Sequence, residues 1–144
     1  MKKVYLYCLV SFAFTANYAQ QNATFVTTEI TESIVPFIDQ LKNGEQFTLH
    51  FASDGCFHNE KDKIVFQKEQ NAYYVIYQNQ KKKLDIATIE HIQNFEKELD
   101  KQGDMGCTTV DKYLLIYKDS QRIVTDGSCA WNGYGKLKKV LQLT

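Results

Sequence analysis

The chain has 144 residues, 17 basic and 17 acidic, and no formal net charge. A content of 44% hydrophobic and 13% aromatic residues is enough to build a core, which excludes intrinsic disorder. Balanced charge makes a poor polyanion binder, so nucleic acid is set aside as a partner.

The N-terminus carries the three parts of a secretion signal. Lys2 and Lys3 form a positive end, Val4 to Phe14 an apolar stretch, and Ala19 supplies a small residue before polar Gln20 and Gln21. Residues 1–19 are therefore expected to be a signal peptide, cut after Ala19 or Gln20. Residues 20–144 are expected to form a single secreted α+β domain. The apolar stretch is too short for a span of ~20 residues, and no later segment is apolar enough. The expected localisation is secreted or periplasmic, with no membrane span in the mature chain. Loss of Lys2 and Lys3 leaves 15 basic against 17 acidic residues, a net charge of −2.

Gln21 to Thr31 is rich in Thr and gives no clear pattern. Ser33 has the chemistry of a helix N-cap, Ile34, Phe37, Ile38 and Leu41 follow at helical spacing, and Asn43-Gly44 closes the helix. Phe47, Leu49 and Phe51 alternate with polar residues, as in a half-buried strand that ends at Asp54-Gly55. Ile64 to Phe66 and Tyr73 to Tyr77 flank Gln70-Asn71 and predict a hairpin, and Asn79 to Lys83 is expected to be a charged loop. Ile86, Ile89, Ile92, Phe95 and Leu99 mark an amphipathic helix, with Glu90, Glu96, Glu98 and Asp100 on its solvated face. A second hairpin is expected from Asp111 to Tyr117 and from Arg122 to Thr125. A C-terminal helix follows through Tyr134, Leu137, Val140 and Leu141, with Lys136, Lys138 and Lys139 outward. The fold class is α+β: a mainly antiparallel sheet of about five strands with two or three helices on one face. The expected order is helix, three strands, helix, two strands, helix.

Cys8 lies in the signal, leaving Cys56, Cys107 and Cys129, one bridge and one thiol in an oxidising compartment. Cys107 and Cys129 flank the second hairpin, so its open end brings them together. Cys56 follows the first strand and is expected at the opposite edge of the sheet. The favoured disulfide is Cys107 with Cys129; the two pairings that use Cys56 remain the alternatives.

Cys56 and His58 stand two residues apart and are the candidate reactive or metal-ligating pair. Neither a C-x-x-C nor a second spaced ligand set supports a metal there. No catalytic residue set, Gly-rich phosphate loop or serine elbow is visible, and no cofactor is expected. The Ile and Leu faces of the Tyr73–Tyr77 and Tyr113–Tyr117 strands are expected to meet the helices. Tyr73, Tyr77, Tyr113 and Tyr117 would then form the candidate binding face on two strands lying side by side, since tyrosine is enriched at recognition surfaces. The expectation is a small secreted or periplasmic binding module without catalytic activity. Its partner, a protein or a small molecule, is unknown. The alternative is a thiol- or metal-dependent protein built on Cys56 and His58.

The mass of the exported protein should correspond to a chain starting at Gln20 or Gln21. A mature product still carrying Lys2 and Lys3 would refute the secretion signal.

Overall fold

The computed structural model describes residues 35–56, 58–103 and 106–143. These fall within one compact unit, Ser33–Thr144. The signal segment, the Thr-rich stretch, and Ser33 and Ile34 of the first helix lie outside the described residues.

The elements run α1 (Phe37–Gln40), β1 (Gln46–Gly55), β2 (His58–Glu69), β3 (Ala72–Tyr77), β4 (Gln80–Lys83), α2 (Ile86–Leu99), β5 (Val110–Tyr117), β6 (Ser120–Asp126) and α3 (Gly133–Leu141). One antiparallel sheet holds six strands in the order β4-β3-β2-β1-β5-β6. This is the expected α+β class with one strand more. The extra strand is β4, drawn from the segment expected to be a charged loop. Gln78 and Asn79 both adopt left-handed backbone (φ 48° and 64°), which reverses the chain in two residues and lays Gln80–Lys83 against β3. Gln70 and Asn71 (φ 49° and 61°) do the same between β2 and β3.

The core lies between the sheet and the helices. Phe47, Leu49 and Phe51 of β1, Ile64 and Phe66 of β2 and Val75 of β3 point into it. Ile92, Phe95 and Leu99 of α2 and Tyr134, Leu137 and Leu141 of α3 close over them. Asp85 caps α2 by accepting from the Thr88 N–H at 2.7 Å, and Asn132 caps α3 by accepting from Gly135 at 3.1 Å. Ile86 is 77% exposed, so α2 meets the sheet only from its second turn onward. Trp131 stacks on Phe95 (5.7 Å) and meets Tyr113 edge-on (5.5 Å). A Cβ at Gly133 would fall onto the Trp131 ring, so only glycine fits there.

Helix α1 is a single turn, shorter than the spacing suggested. Its first N–H groups find no local side-chain cap. They donate instead to the Glu96 carboxylate, from Phe37 at 2.7 Å and from Ile38 at 3.1 Å. Glu96 is thus 1% exposed and not on the solvated face of α2, where the charge pattern placed it. Arg122 of β6 meets both Glu96 and Asp100. Of the C-terminal lysines expected to face outward, Lys138 turns in to Asp62 at 3.0 Å.

The tyrosine faces are the reverse of the expectation. Tyr113 and Tyr117 are 0% and 6% exposed, and Tyr73 and Tyr77 pack against the core. Register gives the reason. Phe51 pairs with Tyr113 and Leu49 with Leu115, and directly paired residues share a face. The face that buries β1 therefore buries the tyrosines, while Leu114, Ile116, Tyr74 and Ile76 turn to the side without helices. The hydroxyls of Tyr117 and Tyr77 reach polar partners, whereas that of Tyr113 is buried without one among the described residues. Tyr117 donates to Glu45 at 2.6 Å, with the Gln40 carbonyl 3.0 Å from the same hydroxyl, and Tyr77 donates to Asp62 at 3.0 Å. Nor do the two tyrosine strands adjoin, because β2 and β1 lie between β3 and β5.

Adjacent residues of β5 test this assignment. Leu115→Ala should cost about 2–5 kcal/mol in urea unfolding, and Ile116→Ala no more than about 1 kcal/mol. Equal losses would mean that the sheet is buried on both sides.

Candidate functional site

The face of the sheet turned away from the described helices combines apolar and cationic side chains. Alternation in β1, where Phe47, Leu49, Phe51 and Ser53 are buried, leaves Thr48, His50, Ala52 and Asp54 on this side. Register then sets out its rows. One row runs Lys81, Ile76, Val65, Thr48, Ile116, Gln121. The next runs Lys63, His50, Leu114, Ile123, and the one beyond it Lys61, Ala52, Lys112, Thr125. Leu114, Ile116, Val65 and Ile76 are half-buried, and Ile123 is 72% exposed.

Two adjoining hollows lie here. One, of about 520 Å³, includes His50, Lys61, Lys63, Val65, Ile76 and Asn79 in its lining. The other, of about 370 Å³, is bounded by His50, Ala52, Lys61, Lys112, Leu114 and Ile123. They share His50, Lys61 and Asp62. The small side chain of Ala52 keeps the floor low between Lys61 and Lys112, two strand spacings or ~10 Å apart.

The face is cationic. Register places Lys61, Lys63, Lys81, Lys83 and Lys112 on it, against the carboxylates Asp54 and Glu69. Each of these acids already faces a lysine: Asp54 meets Lys112 at 3.4 Å, and Glu69 meets Lys81. Among the described residues no carboxylate lies within 4 Å of the ammonium groups of Lys61, Lys63 or Lys83. Asp62 lines both hollows, but its carboxylate is engaged by Tyr77 and Lys138 on the helix side. Burial alone would raise its pKa. The neighbouring Tyr134 hydroxyl, Lys138, the Lys63 backbone N–H and Tyr77 outweigh burial and hold it below 3.8. Asp62 thus stays ionised and committed to the helix side. A surface so built can hold an apolar group against Leu114 and Ile123 and an anionic group against Lys61, Lys63 and Lys112 at the same time.

The helix side also has a cleft, about 270 Å³ between α2 and α3, whose lining includes His91, Glu98, Trp131 and Lys136. Its charges are mixed in sign and do not converge. Among the described residues no group of three His, Cys, Asp or Glu side chains could hold a metal ion.

The sequence-derived site residues distribute as follows. Cys107 and Cys129 stand at disulfide distance, with Cα atoms 5.5 Å apart across the open end of the β5–β6 hairpin. Cys56 is exposed and unbridged, but not at the opposite edge. β1 pairs with β5, and Asp54 stands opposite Val110, so Cys56 follows β1 at the same end of the sheet where Cys107 precedes β5. His58 opens β2, and its side chain lies outside the described part of the structure. Tyr73, Tyr77, Tyr113 and Tyr117 line the core and leave the candidate face to Leu114, Ile116, Ile123 and the lysines. The alternation Lys61, Lys63, Val65 in the sequence was the available signal for that face.

The chain matches no protein-family model and no curated protein sequence.

Replacing Cys107 or Cys129 by Ser should each lower stability by about 2–4 kcal/mol, and the double variant should add little, since either change removes the bond. Peptide mapping without reductant should recover the Cys107–Cys129 link and no cross-link containing Cys56.

Proposed function

We propose that this protein is a small secreted or periplasmic binding module with no catalytic activity, and that its partner seats on the open face of the sheet. The observation that carries this reading is that face itself. Half-buried Leu114, Ile116, Val65 and Ile76 lie on it beside Ile123, 72% exposed, and lysines bound them. Solvent-facing sheet surfaces are usually polar, so an apolar strip framed by charge is the profile of an interaction surface. The signal-like N-terminus and the Cys107–Cys129 pair support an oxidising compartment. No helix among the described residues is long and apolar enough to cross a membrane.

The alternative, thiol or metal chemistry on Cys56 and His58, has one observation in its favour, the exposure of the unbridged Cys56.

A photo-crosslinking residue placed at Ile123 or Ile116 should trap one discrete partner in the native compartment, while the same residue at Val140 on α3 should trap none. Equal or absent adducts at all three positions would refute the reading. Loss of the adduct on blocking Cys56, with Ile123 untouched, would transfer it to the thiol alternative.

A further inference from the structure

We propose that the partner's contact segment is an acidic, amphipathic polypeptide, with apolar side chains lying on Leu114, Ile123, Val65 and Ile76 and carboxylates meeting Lys61, Lys63 and Lys112. This inference rests on the binding-module reading above and names the chemistry of its partner.

The first argument is charge. The mature chain is expected to carry a net charge of −2, yet this face sets five lysines against two carboxylates, both already paired. Charge of one sign has been gathered on the sheet surface that no helix among the described residues covers. Lys61 and Lys63 alternate along β2, so their ammonium groups rise from the same side ~7 Å apart, the spacing of alternate residues in an extended chain. An extended acidic segment has carboxylates at that same repeat.

The second argument is shape and polarity. Apolar residues and lysines line the two adjoining hollows together. A flat bilayer would reach the exposed Ile123 but not fill the hollows, whereas a side chain can enter them. A bare polyanion would satisfy the lysines but leave Leu114 and Ile123 against charge. A second copy of this chain would bring its own five lysines against these five, a repulsive arrangement. A segment mixing carboxylates and aliphatic side chains satisfies both features.

The test uses the mature protein and a labelled synthetic dodecapeptide of mixed Glu and Leu. The comparisons are its Lys-for-Glu counterpart, a polyglutamate of the same length, and vesicles of phosphatidylglycerol. The acidic amphipathic peptide should bind at least about tenfold more tightly than either other peptide, with an affinity that falls as salt rises. Amide shifts should concentrate on β1, β2 and β5. Lys61→Glu with Lys63→Glu, and separately Ile123→Asp, should each weaken binding about tenfold or more. Lys139→Glu on α3 should change it less than about twofold. Unchanged urea midpoints will show that the exposed-site variants still fold. No binding up to 1 mM peptide, an equal affinity for polyglutamate or vesicles, or dimerisation abolished by Ile123→Asp would each overturn the proposal. If the peptide fails while the Ile123 crosslink persists, the chemistry assigned to the partner is wrong and the binding module stands. If both fail, both fall.

Discussion

The Glu96 carboxylate joins three parts of the chain, α1, α2 and β6. It is 1% exposed and accepts the first two N–H groups of α1, from Phe37 and Ile38. On its other side it takes the guanidinium of Arg122, which also reaches Asp100 and lies 4.9 Å from the centre of the Phe37 ring. Burial raises the pKa of Glu96, while the two N–H donors and Arg122 oppose that rise. A buried pair of this kind contributes little net stability against an apolar replacement, but removing one partner strands the other at a cost of about 3–5 kcal/mol. Its work is to fix position. A four-residue helix cannot persist alone, and here its N-terminus is held by a side chain from α2 that β6 holds in turn.

That anchoring holds α1 on the side of the sheet that α2 covers. The crossover through α2 carries the chain from β4 at one edge back over the sheet to β5, on the far side of β1. The strand that began the sheet thereby becomes central. Its alternation of Phe47, Leu49 and Phe51 sets the buried side for every strand paired to it, and the other side is left to Lys61, Lys63, Leu114 and Ile123.

Elements with strong local periodicity were legible in the sequence. The 3.6-residue repeat of α2, the alternation of β1 and both hairpins appear where the pattern predicts them. What failed needed information from far along the chain. Alternation in Tyr113–Tyr117 shows that the strand has two faces, but only its register with β1 shows which is inside. The charges of α2 look solvated until Arg122, 26 residues beyond Glu96, is placed beside them. Cys56 was expected at the opposite edge because nothing local in the sequence shows that β1 pairs with β5. β4 was overlooked because Gln80–Lys83 has no apolar residue, although the Gln-Asn pair before it already had the chemistry of a tight reversal. The open face was missed for a related reason. Its lysines and aliphatics come from different strands and form one surface only after pairing.

The two margins of the sheet are unlike. β4 is four residues long, and three of them are lysines, while β6 is seven residues long and contains none. Short, lysine-rich margins resist the addition of another strand. Any strand that docked along β6 would use up the receptive margin, and the opposite one would stay closed to a further copy. Lateral growth from this sheet is therefore self-terminating. The molecule presents an apolar strip to solvent without the two-sided adhesiveness that turns such strips into fibres.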